Sequence, residues 1–137
     1  MERTFAIIKP DAVGRGLAGD IIKRIEASGL KIRGMRLMHL ARGQAERFYE
    51  VHKARPFYGG LCTYMTSGPV IVMVLEGDKA ITRWRELMGA TDPAKASAGT
   101  IRKDFGENIE RNAVHGSDAP ETAAQEVPFF FSSLDLV

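Results

Sequence analysis

Val70-Ile71-Val72-Met73-Val74-Leu75 is the longest apolar run in the chain, and the reading of the fold starts from it. Ser67-Gly68-Pro69 breaks the chain just before the run, which therefore reads as a buried-type strand entered from a turn. It is far too short to cross a bilayer. Downstream, Asp78 reads as an N-cap, Ile81, Trp84, Leu87 and Met88 form an apolar stripe at helical spacing, and Gly89 ends that helix. Upstream, Gly59-Gly60 opens a short apolar turn through Leu61, Tyr64 and Met65. Before that, Ala45, Phe48, Tyr49 and Val51 suit a helix from Arg42 to Lys53. It should finish before Arg55, because the residue preceding Pro56 disfavours helical torsions.

At the N-terminal end, Thr4 to Ile8 is a β-branched and aromatic strand closed by Lys9-Pro10, since proline cannot donate to a ladder. Lys9 is thereby placed at a strand's exit. After a glycine-rich stretch, Leu17, Ile21, Ile22 and Ile25 mark an amphipathic helix capped at Gly29. Leu30 and Ile32 then alternate with charges, the phase changes at Gly34, and Met35 and Leu37 resume it, which suggests a half-buried strand with a bulge at the glycine. Beyond Gly89 the chain runs without clear periodicity to Arg111, and a loop of that length inside a compact domain is usually functional or disordered. Ala113 to His115 reads as a short strand, and Asp118-Ala119-Pro120-Glu121 as a capping box opening a helix that contains Ala123, Ala124 and Val127.

This alternation gives an α/β or α+β sandwich, and four strands in this order permit a split βαβ arrangement as well as a small doubly wound sheet. The length, 137 residues, fits one domain over residues 1–137. Hydrophobic residues make up 45% and charged residues 26%, which excludes a disordered or collagen-like chain. A formal net charge of +2 is too small to argue for nucleic acid or membrane as an obligate partner. The single cysteine, Cys62, excludes an intramolecular disulfide and fits a reducing, cytoplasmic setting, with no targeting signal visible.

Several motifs fail on chemical grounds. Gly14-Arg15-Gly16-Leu17-Ala18-Gly19 matches the dinucleotide fingerprint formally, but the companion acid expected about 20 residues on is missing from Leu37-Met38-His39-Leu40. No Lys-Ser or Lys-Thr follows a suitable glycine pair, so a Walker loop fails too. An RNA-binding sheet would carry a basic-aromatic signature that neither Val70 to Leu75 nor Ala113 to His115 provides. Asn112-Ala113-Val114-His115-Gly116-Ser117-Asp118 is the densest chemistry in the chain. A Ser-His-Asp triad within one tetrapeptide is sterically poor, because hydrolytic triads converge from separate elements. Histidine as its own nucleophile is favoured instead: a phosphoryl group on it, beside a helix start, would meet backbone N–H groups and the positive end of the helix dipole.

Thr4 to Asp11, Arg55-Pro56-Phe57, Thr66 to Val70, Gly89 to Pro93, Gly99 to Arg102 and Asn112 to Asp118 resemble, in order and spacing, the motifs of the nucleoside diphosphate kinase family. The resemblance implies a ferredoxin-like α+β βαββαβ sandwich with an antiparallel four-stranded sheet. It also implies a two-step exchange in which a nucleoside triphosphate phosphorylates a histidine, which then phosphorylates a nucleoside diphosphate. Carried onto this sequence, His115 would be the nucleophile. Lys9, Tyr49, Arg55, Arg85, Thr91, Arg102 and Asn112 would hold phosphates and sugar, and Phe57 and Leu61 would pinch the base. Ser117 and Glu126 would orient the imidazole. Magnesium bound mainly through the nucleotide's phosphates is implied, as is a homo-oligomer, a tetramer favoured over a hexamer because the chain stops soon after Phe129-Phe130-Phe131. Two features bear on the carry-over. Pro128 removes a helical hydrogen bond just after Glu126, which points to an early end of the last helix. The implied base site offers no Asn, Gln or acid to read a base edge, so broad base tolerance with a purine preference is expected.

Overall fold

The computed structural model describes residues 1–137. Strand β1 (Glu2–Ile8) leads into α1 (Pro10–Gly14), α2 (Ala18–Ala27), β2 (Lys31–Met38), α3 (Arg42–Phe48) and α4 (Tyr58–Met65). Then come β3 (Val70–Gly77), α5 (Ala80–Met88), α6 (Ile101–Phe105), β4 (Val114–Gly116) and α7 (Pro120–Phe130). The strands form one sheet in the order β2-β3-β1-β4, and every neighbouring pair is antiparallel. That is the ferredoxin-like split βαβ arrangement, and it excludes the doubly wound alternative, which needs parallel neighbours.

Both faces of the sheet are covered, which explains why the central strands read as apolar runs rather than as alternation. On β1, Ala6 and Ile8 join Ile21, Ile25, Trp84 and Met88 on one side, while Phe5 and Ile7 join Tyr49, Met65 and Phe130 on the other. The bulge falls where the phase of the sequence changes, with the β2·β3 register slipping between Ile32 and Gly34. A side chain at residue 34 would crowd the C-terminal segment, since a Cβ would lie 2.8 Å from Leu136 Cδ2 and 3.1 Å from the Phe131 ring, so these side chains would have to shift.

Several expectations need correction. Pro10 does stop β1, but it also sits at the first position of α1, where its missing N–H costs nothing. Gly59-Gly60 lies inside α4 rather than in a turn, because Cys62, Tyr64 and Met65 bury their side chains and outweigh the glycines' low propensity. The helix expected over Arg42–Lys53 ends as α3 at Phe48 and continues only as a 3₁₀ turn, Glu50–His52. The supposed loop from Gly89 to Arg111 contains a 3₁₀ turn, Pro93–Lys95, capped by Asp92, and α6, capped by Thr100. Asp78 is not the cap of α5: Lys79 is, with φ 52°, and the Ile81 N–H donates to Glu2 Oε1 at 2.9 Å. At α7 the cap is Ala119, and Thr122, not Glu121, reaches back, accepting from the N–H groups of Asp118 and Ala119. Pro128 does not end α7, which runs on to Phe130. The lost hydrogen bond is offset by burial of Phe130 and Phe131, with Phe130 stacked on Phe5 at a centroid distance of 5.3 Å.

Candidate active site

Lys9 and His115 are brought together by register. On β1 and β4, Ile7 pairs with His115 and Ile8 with Val114, so the exit of β1 and the start of β4 share one end of the sheet. The Lys9 N–H donates to Ala113 O at 2.8 Å, and Lys9 Nζ donates to Asn112 Oδ1 at 2.9 Å. Ala113 has φ 75°, and Val114 N–H donates to Asn112 O at 2.9 Å, a γ-turn of the rare positive-φ kind. Such a residue costs on the order of 1–3 kcal/mol. Its surroundings hold it: Asn112 Nδ2 donates to Thr91 O at 3.0 Å and to Ile109 O at 3.2 Å.

His115 Nε2 lies 3.2 Å from Glu126 Oε1, and Ser117 Oγ donates to that same oxygen at 2.7 Å. Ser117 is fixed in turn by the Phe5 N–H, which donates to its Oγ at 3.3 Å. An ionised carboxylate only accepts, so it selects the tautomer with the proton on Nε2 and leaves the lone pair on Nδ1. Rings of Phe48 and Tyr49 stand edge-on to the imidazole at 5.7 and 6.5 Å. Gly116 is required beside it, because a Cβ there would meet Trp84 Cδ1 at 2.5 Å. Trp84 Nε1 donates to His115 O at 3.2 Å, which pins the strand from the opposite face.

His115 opens into a cleft of about 540 Å³. Of the residues expected from sequence, Lys9, Phe57, Leu61, Arg85, Thr91, Arg102, Asn112 and His115 line it, while Ser117 and Glu126 stand behind the imidazole. Two others are not brought to it. Arg55 is exposed in the turn before α4 and does not line the cleft. Tyr49 is buried and its hydroxyl has no partner; burial and then the charge of Glu126 push that hydroxyl's pKa upward. Tyr49 therefore packs against the imidazole and does not present its hydroxyl at the cleft wall.

Sequence reasoning missed Tyr64, Ile109, Glu110 and Asp118 as cleft residues. Glu110 adds a second carboxylate, beside that of Asp118, to the lining of the cleft. Asp118 was legible as a cap and as the end of the Asn112–Asp118 motif, and Tyr64 only as an apolar position; Ile109 and Glu110 gave no local signal, since folding alone brings their aperiodic segment up to α4.

Two of the cleft's cations, Lys9 and Arg102, are buried. Burial, then the charge of Arg102, lowers the Lys9 pKa to about 8. Burial, then Arg85, lowers that of Arg102 to about 10. Arg102 donates to Gly89 O at 3.0 Å and to Val114 O at 2.9 Å, tying the α5 exit to β4. Gly89 closes α5 with φ 85°, and Thr100 Oγ1 lies 2.5 Å from where its Cβ would be. Lysine is charged below its pKa, so kcat/KM should fall about tenfold per unit as pH rises above about 8. Bound phosphate favours the charged form, so the same limb in kcat should move to higher pH. A flat kcat/KM profile from pH 7 to 9.5 would show that the charge of Lys9 is not needed.

A partly exposed imidazole with one free ring nitrogen, set in a water-accessible cleft of buried cations, has the chemistry of a phosphoryl-transfer enzyme acting on anionic substrates. The family model for nucleoside diphosphate kinase matches residues 2–136. A nucleoside diphosphate kinase of Geotalea daltonii is 64% identical over all 137 residues and is itself covered completely. One of Geobacter sulfurreducens is 60% identical, again over the full length of both chains. Among solved structures, the nucleoside diphosphate kinase of Aquifex aeolicus superposes with a TM-score of 0.97 at 42% identity, 99% of each chain being covered. That of Halobacterium salinarum, in complex with CDP, gives 0.96 at 45% identity over 99% of this chain and 91% of that one. The chain belongs to the nucleoside diphosphate kinase family. It is a phosphotransferase that moves a phosphoryl group from a nucleoside triphosphate to a nucleoside diphosphate.

Proposed function

We propose that this exchange runs in two half-reactions through His115, each a displacement at phosphorus. The Nδ1 lone pair attacks the γ-phosphorus of the donor, the bond to the β–γ bridging oxygen breaks, and the nucleoside diphosphate leaves with that electron pair. A terminal β-phosphate oxygen of the acceptor then attacks the same phosphorus, the N–P bond breaks, and Nδ1 regains its lone pair. The observation that carries this reading is the contact of Nε2, not Nδ1, with Glu126. As the ring becomes cationic on phosphorylation, its Nε2–H hydrogen bond to a carboxylate strengthens. Lys9, Arg85 and Arg102 neutralise charge on the transferring group, and Asn112 and Lys9 hold the sugar hydroxyls. Phe57 and Leu61 hold the base by stacking and apolar contact.

Magnesium suits this donor set as a companion of the phosphates. No group of three or more His, Cys, Asp or Glu side chains gathers to cage an ion, but Asp118 lines the cleft, and magnesium usually takes one or two carboxylates plus phosphates. Bound there, it would draw off charge from the phosphate oxygens.

Initial rates with donor and acceptor both varied should give parallel double-reciprocal lines. Lines that intersect would indicate direct transfer in a ternary complex. Glu126→Gln keeps an acceptor oxygen but removes the charge facing the imidazolium, so kcat should drop about tenfold. An unchanged kcat would remove Glu126 from the mechanism.

No helix is long and apolar enough to cross a membrane, and the reading places the chain in the cytoplasm as a single-domain enzyme. It also makes it a homo-oligomer, a tetramer favoured over a hexamer. Supporting this, β2 is an edge strand that leaves Met35 and Leu37 more than half exposed, which for an unpaired strand is an association surface. Light scattering should find a multiple of the chain mass; a stable monomer would contradict it.

A further inference from the structure

We propose that Glu110 reads the edge of the base and gives the enzyme a preference for guanine within its broad range. The inference rests on the reading of the cleft as the nucleotide site. Two kinds of side chain line the cleft together with His115: the cations Lys9, Arg85 and Arg102, and the apolar Phe57, Leu61 and Ile109. Glu110 follows Ile109 directly and lines the same cleft. Its carboxylate is exposed and makes no ion pair or hydrogen bond within the protein, so its acceptor capacity is free for a ligand.

The support beneath that carboxylate is rigid. The Glu110 and Arg111 N–H groups both donate to Asn108 Oδ1, at 3.0 and 2.9 Å, and the Glu107 N–H donates to Arg111 O at 2.8 Å. Asn112 Nδ2 holds Ile109 O from the other side. The neighbouring cation does not neutralise Glu110: the Arg111 guanidinium lies over the Tyr64 ring, 5.3 Å from its centroid.

An ionised carboxylate offers two acceptor oxygens and no donor. Guanine alone among the common bases presents two adjacent donors, N1–H and the 2-amino group, and can meet both oxygens at once. Adenine and cytosine set a single amino donor beside a ring acceptor, and the uracil N–H is flanked by two carbonyls that a carboxylate repels. Hypoxanthine keeps N1–H and lacks the amino group, so it separates the two contacts.

The test measures kcat/KM for GDP, IDP and ADP with deoxythymidine triphosphate as the one donor, in the full chain and in Glu110→Gln. Because the carboxylate is exposed, its charge-assisted bonds are partly screened, and GDP should exceed IDP and ADP by about fivefold. Glu110→Gln replaces one acceptor oxygen by a donor and should bring GDP to within about twofold of IDP, with the thermal midpoint unchanged. Equal constants for GDP and IDP in the parent chain, or a ratio that survives Glu110→Gln, would overturn the proposal while leaving the kinase reading intact. Failure of all the diphosphates to accept phosphate would overturn both.

Discussion

Replacement of His115 by alanine is expected to lower phosphoryl exchange by about 10⁴-fold or more, because the whole two-step route passes through one ring nitrogen. The fold should survive. The imidazole is partly exposed, Ser117 still donates to Glu126 when it is gone, and β4 keeps its pairing with β1. Circular dichroism and the thermal midpoint should therefore stay close to those of the parent chain while the rate collapses. Near-parental turnover in a folded His115→Ala protein would place the nucleophile elsewhere.

Arg102→Lys should cost both rate and stability, although the charge is kept. The guanidinium spans two carbonyls, Gly89 O and Val114 O, while lining the cleft, and a lysine ammonium lacks the planar fork that reaches both. One buried acceptor left without a donor costs about 1–3 kcal/mol. A displaced cation at the transferring phosphoryl should lower kcat by about 10²–10³-fold. Thermal melting and steady-state kinetics read the two losses separately. A variant that melts early but turns over normally would reduce Arg102 to a structural tie.

Signals that lie within a few residues were legible in the sequence; contacts across the chain were legible only where the family motifs carried them. Gly34 announced the bulge because a phase change in alternation is a local signal, and Gly29 and Gly89 announced helix ends because a positive φ favours glycine. The start of α5 was misread at Asp78 because Glu2, from the far end of the sequence, supplies the acceptor for Ile81 N–H. Helix α4 was hidden by Gly59-Gly60, whose weak propensity is overruled by tertiary burial of Cys62, Tyr64 and Met65. Within the site, the family motifs carried His115, Lys9, Asn112 and Arg102 to one cleft. They gave no warning that Arg55 stays outside it or that Glu110 enters it, since both depend on how aperiodic segments fold back on α4 and β4.

The most direct measurement is isolation of the intermediate. Incubating the full chain with ATP labelled at the γ-phosphate, without acceptor, should transfer label to the protein in an acid-labile, alkali-stable form. Fragmentation should locate it on His115 Nδ1, and addition of a nucleoside diphosphate should release it as the triphosphate. A protein that exchanges phosphate at full rate yet never carries the label, or carries it as an acid-stable ester on a hydroxyl, would contradict the account.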